Sequence, residues 1–182
     1  LEVVCLKIAG MPLYDSLIHA FSTAGTGGFS NRNASVGAYD SVAIDVIITI
    51  FMLLFSINFA VYFLILTKKW REALASDELR FFLSVVVGAT AIITLFNLSV
   101  YDHIGDSLRY AAFQVAAIIS TTGFGTADFV LWPQFSQVII ILLMFCGASA
   151  GSTGGGMKCS RVLLLLRGIR REIHRITHPC SV

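Results

Sequence analysis

Long apolar runs broken by short stretches of Gly, Thr and Ser set the pattern of this chain. Residues 41–67 hold one charge, Asp45, near their start, and residues 81–100 hold none. About 20 apolar residues let a helix cross the hydrocarbon core, so each run predicts a membrane-spanning helix. A third apolar stretch is interrupted. Residues 138–145 are uniformly apolar, then come Gly147, Ala148, Ser149, Ala150, Gly151, Ser152, Thr153, Gly154, Gly155, Gly156, Met157 and Lys158, and apolar residues resume only at 162–166. Neither piece spans alone, whereas 133–166 together is long enough. Three consecutive glycines suit a helix poorly, which favours one broken membrane helix over a continuous surface of small packing residues.

Between these runs lie two shorter helical patterns. Residues 1–9 are too short to cross and end at Gly10, Met11 and Pro12, so they read as the last turns of a helix begun upstream. Leu1 stands inside an apolar run, and the sequence is expected to be part of a longer one. Pro12 suits the first turn of a new helix over about 12–23, and Asp15 puts negative charge at its positive end. That helix runs into Ser22, Thr23, Ala24, Gly25, Thr26, Gly27, Gly28, Phe29 and Ser30, and a polar surface loop follows at 31–39. Residues 101–105 form a turn, Asp106 is the predicted N-cap of a helix to about 119, and this one too ends in a Thr/Gly segment, Ser120-Thr121-Thr122-Gly123-Phe124-Gly125-Thr126. A shift of 96 residues carries Thr26 and Gly27 onto Thr122 and Gly123, Tyr14 onto Tyr110, Ala20 onto Ala116, Val42 onto Val138 and Ser56 onto Ser152. An echo at one offset indicates two copies of one module, with boundaries at 1–70 and 71–182.

Composition agrees with a membrane protein: 56% of the 182 residues are hydrophobic and 13% charged, and the mean hydropathy is +0.80, whereas about a quarter of a soluble domain is charged. The net charge of +2 says little, but its distribution sets an orientation. Lys68, Lys69, Arg71 and Arg80 cluster after the first span, and Arg167, Arg170, Arg171 and Arg175 after the broken one, while the Thr/Gly regions hold Arg32 and Arg109. The basic segments 68–80 and 167–178 are therefore expected on the cytoplasmic side and both Thr/Gly loops outside. The parity closes only if each short helix dips in and returns. Cys5, Cys146, Cys159 and Cys180 include no C-x-x-C pair and read as packing residues rather than a metal or disulfide framework.

A helix, a re-entrant Thr/Gly loop and a second helix, repeated, is the layout of a cation pore. A cation leaving water needs a ring of backbone carbonyls in place of its hydration shell. Aiming successive carbonyls into one lumen requires φ values that Gly accepts readily, and the negative ends of the short helices favour a cation there. Thr122-Gly123-Phe124-Gly125 resembles the filter segment of potassium channels. The two loops together, with the Gly147 to Lys158 segment, are similar to the bacterial TrkH/KtrB potassium-uptake superfamily.

That resemblance covers nearly the whole chain and implies the second and third of four pore repeats. The implied fold is an all-α membrane protein of two parallel outer helix, pore helix and filter, inner helix repeats, the last inner helix broken by the Gly-rich loop. Within it, the first inner helix would span 41–67, the second outer helix 81–100, the broken helix 133–166 and a basic tail 167–182. The implied filter residues are Thr26, Gly27 and Gly28 in the first copy and Thr122, Gly123, Phe124 and Gly125 in the second. Gly28 stands where the second copy has Phe124, a departure from the filter pattern. Ser at one filter Gly position accompanies sodium transport in plant members of the superfamily, so the glycines here lean toward potassium. The loop from Gly147 through Gly151, Ser152, Thr153, Gly154, Gly155 and Gly156 to Lys158 would act as a flexible gate. By that resemblance potassium would be the transported ion, with sodium or a mixed cation as the alternative, and no catalytic residue, cofactor or transition metal is expected. The implied partners are the other two repeats of the full-length chain, a second copy in a homodimer, membrane lipid and a cytosolic nucleotide-binding regulatory subunit of the TrkA/KtrA kind, with no nucleic acid, in a multi-pass protein of the inner (cytoplasmic) membrane. The basic segment at 167–175 is either a docking surface for that subunit or a contact for anionic lipid.

Several residues carry two readings. Lys158 either forms an electrostatic barrier in the pore or snorkels to the interface. Asp45, Asp102, Asp106 and Asp128 lie toward the outer face and would concentrate cations there. Asn58 reads as a hydrogen bond between helices. His174 and His178 are one helical turn apart, but without a third ligand a solvated face explains them better than a metal. Glycines before Lys158 echo a phosphate loop, yet Met157 intervenes before the Lys and Cys159 replaces the required Ser or Thr. A carrier with discontinuous helices is a further alternative, although its repeats are commonly inverted.

Overall fold

The computed structural model describes residues 1–177, so His178 of the histidine pair and Cys180 lie outside the described residues. The elements are α1 (Glu2–Ile8), α2 (Leu13–Ala24), a 3₁₀ turn (Ser35–Tyr39), α3 (Val42–Ser56), α4 (Phe59–Leu66), α5 (Trp70–Ala75), α6 (Asp77–Asn97), α7 (Ile104–Ile119), a 3₁₀ turn (Phe129–Leu131), α8 (Gln134–Phe145) and α9 (Cys159–Thr177). No strand occurs among the described residues, and the all-α expectation holds.

Helix α7 is the centre, and its sequence shows why. Ala111, Val115 and Ile119, four residues apart, form one apolar stripe that packs with Phe82, Val86 and Ile93 of α6 and Ile140 and Leu143 of α8. Phe113, Ala116 and Ala117 form a second stripe, which joins Ile44, Ile48 and Met52 of α3 and Leu6 of α1. A helix apolar on two faces must be buried on both. Two polar contacts run through this core: the Ser107 hydroxyl donates to Thr94 O at 2.9 Å, and Ser136 donates to Asn97 Oδ1 at 2.8 Å, while Asn97 Nδ2 and Gln114 Oε1 are buried without a hydrogen-bond partner among the described residues. Helix α6, 21 residues long, is the described helix long and apolar enough to cross a membrane unbroken, with a length of about 30 Å. Val46, Ile50, Val87, Leu95, Ile141 and Leu142 are exposed, an apolar surface suited to hydrocarbon or to further helices.

Several boundaries differ from the sequence reading. The run at 41–67 is not one helix: α3 and α4 meet at a 92° bend. The cause is local and tertiary together. Ile57 is extended, the Asn58 side chain caps α4 by accepting from Ala60 N at 2.9 Å, and the backbone groups freed at the bend bond to another segment, described below. Asn58 is thus a cap rather than a bridge between helices. Helix α6 begins at Asp77, four residues before the apolar run, because Ser76 caps it. His103 rather than Asp106 is the N-cap of α7, and Asp106 sits in the first turn, where its charge still meets the positive end of the helix. The connection 68–80 contains α5, and the region beyond residue 166 is no separate tail, since α9 continues to Thr177.

Asp45, expected near the outer mouth, is buried. Its Oδ2 lies 3.6 Å from Nε of Arg109, whose guanidinium also stacks on the Tyr110 ring at 4.4 Å. Removing one partner of a buried pair leaves an uncompensated charge. Arg109→Leu is therefore expected to destabilise the full-length protein by about 3 kcal/mol, with most of the loss recovered when Asp45→Asn is added. Thermal unfolding in detergent measures both, and additive losses would show that the pair is not coupled.

Candidate functional site

Both Thr/Gly segments leave their helices in the same way. After α2, Thr26 N donates to Thr23 O at 3.2 Å, and after α7, Thr121 N donates to Ile118 O at 3.0 Å. Both threonines take left-handed backbone, with φ 50 and φ 60, and two residues later Gly28 and Gly123 do so with φ 68 and φ 81. The structural register is therefore a shift of 95, which pairs Thr26 with Thr121, Gly28 with Gly123 and Phe29 with Phe124. The one-residue difference from the sequence alignment removes the apparent departure at Gly28. A β-branched residue in left-handed backbone is a genuine outlier, costing on the order of 1 kcal/mol.

The two segments lie against each other. A Cβ on Gly28 would collide with the Thr122 carbonyl oxygen, so only glycine allows this approach. No backbone amide among the described residues donates to the carbonyls of Thr26, Gly27, Thr122 or Gly123. Gly125 differs: its carbonyl accepts from Gly37 N at 3.1 Å, and its own N–H donates to Ser35 Oγ at 3.4 Å. Gly125 thus also serves the seam with the 31–39 loop. Phe124 is buried and holds the segment by packing on the ring of His19, with ring centres 5.6 Å apart.

The 31–39 loop is no plain surface loop, because Val36 is fully buried. It is anchored to Asp15, whose carboxylate accepts from Tyr39 OH at 2.6 Å, Asn31 Nδ2 at 2.5 Å and Arg32 at 3.4 Å. Those bonds, the Tyr39 hydroxyl foremost, hold the Asp15 carboxyl below the usual carboxylate range. His19, buried, links Asp15 O at 2.8 Å through Nδ1 to Ser30 Oγ at 3.1 Å through Nε2. Sequence reasoning missed this network, although His19 and Asp15 stand one helical turn apart on a helix whose buried face is polar.

Beneath the segments lies the Gly-rich loop, residues 146–158, between α8 and α9, and the expected break is present. Its neck is closed by Gly147 N to Met157 O at 2.6 Å and Cys159 N to Ala148 O at 3.1 Å. A Cβ on Gly147 would lie 2.5 Å from Gly155 O, and one on Gly154 3.0 Å from Ser120 O, so the loop is packed close to itself and to the second segment. The loop is tied on every side. Ser149 N donates to Ser56 O at 3.0 Å, Phe59 N donates to Gly151 O at 3.1 Å, and Thr153 Oγ1 donates to Phe55 O at 3.3 Å, which together meet the α3–α4 bend. Glu78 Oε1 accepts from Ala150 N at 2.6 Å. The segments above bond to it directly: Gly155 N donates to Thr121 Oγ1 at 2.7 Å, and Thr26 Oγ1 donates to Thr153 O at 3.3 Å. Ser152 bonds within the loop to Ser149 O at 2.6 Å, and Gly156 packs against the Thr121 methyl.

These hydrogen bonds pin the loop to α6, to the α3–α4 bend and to both Thr/Gly segments. Lys158 is half-buried, and its ammonium donates to Gly154 O inside the loop. That bond, the absence of a strand before the loop and the intervening Met157 also leave no phosphate cradle. Asp128 caps the Phe129–Leu131 turn, which with the burial of Asp45 leaves only part of the expected acidic mouth. No cluster of three metal-ligating side chains occurs among the described residues. Glu78 and Thr121 are the loop contacts that sequence reasoning missed, since nothing local marks a residue that bonds a segment more than thirty positions away.

Gly28→Ala is expected to cost several-fold more stability than Gly123→Ala. Both positions need left-handed backbone, but a Cβ meets an oxygen at Gly28 and open space at Gly123. Equal melting temperatures for the two variants of the full-length protein would contradict the close approach.

The chain was compared with known proteins. The family described as "TrkH: Cation transport protein" matches residues 5–182. The chain is 40% identical to the Trk system potassium uptake protein TrkH of Salmonella typhimurium, over all of this chain and 39% of that protein. It is 38% identical to the protein of that name from Escherichia coli K12, again over all of this chain and 39% of the relative. It superposes on the crystal structure of the potassium transporter TrkH from Vibrio parahaemolyticus with a TM-score of 0.93 at 37% identity, covering 99% of this chain and 40% of that one. The chain thus spans about two-fifths of the length of these relatives.

Proposed function

This chain belongs to the TrkH family of cation transport proteins, and we propose that it forms two adjoining quarters of a potassium uptake pore together with the loop that gates it. The observation that carries the reading is the set of carbonyls at Thr26, Gly27, Thr122 and Gly123. They lie on two touching segments and receive no backbone donor among the described residues. Thr122 is buried, Thr26 half-buried, and Gly27 and Gly123 are exposed, so these oxygens border an open face of the two segments, where a dehydrated cation would find carbonyls in place of its water. The relatives are named for potassium uptake, which favours potassium over sodium or a mixed cation. Those names are of transport proteins, and chemistry on a bound nucleotide has no support here.

In this reading α2 and α7 are pore helices aiming their negative ends at the ion, α3 and α8 are inner helices, and the 146–158 loop closes the path below. The ion pair between Arg167 and Asp77, at 2.5 Å, joins the two basic segments at one end of the molecule, while Arg32–Asp15 and Arg109–Asp45 lie toward the other. This supports basic segments on the cytoplasmic side of an inner membrane and the filter outside. The remaining quarters would come from the rest of the full-length chain. A homodimer, contact with lipid, and a nucleotide-binding subunit docking on the basic face of α9 complete the proposal.

Gly123→Ser tests the filter: an added Cβ meets no described atom within 4 Å, although the left-handed backbone there makes any side chain strained, so uptake is compared at equal amounts of folded protein in the membrane. Rubidium uptake or potassium-over-sodium preference of the full-length protein should fall at least tenfold, and unchanged values for both would sink the assignment. Deleting residues 151–156 removes the bonds to Thr121, Thr26 and Phe59, and basal flux is expected to rise several-fold. Unaltered flux in that deletion would reduce the loop to a structural role.

A further inference from the structure

The neck of the 146–158 loop is flanked by two thiols. Cys146 ends α8 and Cys159 begins α9, on opposite sides of the loop, yet their sulfurs lie 3.7 Å apart. Cys146 is half-buried and Cys159 buried, with the Cys159 thiol bonded to Gly147 O at 2.9 Å. Both are free thiols packed against each other, a contact that sequence spacing does not announce. The backbone brings the neck together through Gly147 N to Met157 O and Cys159 N to Ala148 O, and the sulfurs at 3.7 Å have less than about 2 Å to close to reach the roughly 2 Å of a disulfide.

We propose that Cys146 and Cys159 form a peroxide-sensitive dithiol whose oxidation locks the neck of the loop. The more accessible Cys146, as thiolate, attacks the peroxide O–O bond, giving a sulfenic acid and, with its proton, one water. The Cys159 sulfur then displaces the sulfenic oxygen, which leaves as a second water. Two thiols and one hydrogen peroxide become one disulfide and two waters, and the sulfurs are oxidised as the peroxide is reduced. The bond forfeits the contact of Cys159 with Gly147 O and fixes the neck covalently, restricting any opening that separates α8 from α9. The dithiol itself stands apart from the pore reading, while its effect on flux rests on that reading.

The test uses full-length protein containing this chain in membrane vesicles, treated with hydrogen peroxide, alkylated and digested with trypsin. Lys158 separates the two cysteines and Arg161 follows Cys159, so the disulfide appears as the tripeptide Cys159-Ser160-Arg161 linked to the peptide ending at Lys158. That linked pair is expected, together with a fall in rubidium uptake of at least threefold that dithiothreitol reverses and that Cys146→Ser and Cys159→Ser each abolish. Alkylation of both cysteines after peroxide, with no linked peptide, would overturn the dithiol. A linked peptide with unaltered flux would uphold it and instead overturn the gating role of the loop.

Discussion

Backbone that is not helical, placed inside an apolar molecule, must have its N–H and C=O groups met by other protein groups, because no bulk water is there to do it. Three irregular stretches in this chain meet that demand largely by answering one another. The α3–α4 bend frees groups at Phe55, Ser56 and Phe59, and the Gly-rich loop takes all three through Thr153, Ser149 and Gly151. The loop's own exposed amides go to Glu78 and to the Thr121 hydroxyl. A helix broken at 146–158 and a helix bent at Ile57 are therefore one structural event, since each supplies the partners that make the other tolerable.

The same accounting explains why the carbonyls of the two Thr/Gly segments stand out. Of their neighbours, the Gly125 carbonyl accepts from Gly37 N, whereas Ser120 and Thr121 bond through their hydroxyls, Ser120 to Ala117 O and the Thr122 hydroxyl, Thr121 to Gly155 N. The strained backbone of Thr26 and Thr121 is held by the helix ends behind and the loop below. Behind the first segment, Asp15 and His19 form a polar scaffold that fixes Ser30 and the 31–39 loop, and this loop in turn grips Gly125 of the second segment. Besides the shared core and the Asp45–Arg109 pair, the two Thr/Gly regions thus meet where Gly28 approaches Thr122, where Gly37 bonds Gly125, and through the Gly-rich loop beneath.

Much of this was legible in the sequence. Uncharged runs announced the apolar helices, Gly and Thr the two irregular segments, and the triple glycine the break between α8 and α9, because each depends on residue type over a short window. The register between copies was not, since aligning Thr-Gly with Thr-Gly is chemically reasonable while the backbone repeats from the helix ends, one residue away. The helix at 41–67 failed for a related reason: nothing apolar in it forbids a straight span, and only Asn58 hinted at a cap.

What the sequence by itself determined is where the chain is helical, where it cannot be, and that it repeats, for these follow from local sterics and hydrophobicity. What only the tertiary structure decided is which polar groups face each other. Asp45 finds Arg109, Lys158 turns back to Gly154, Glu78 holds Ala150, and Cys146 meets Cys159. Each pairing joins residues that neither composition nor periodicity connects, because it arises only when the bent and broken helices must satisfy one another's backbone.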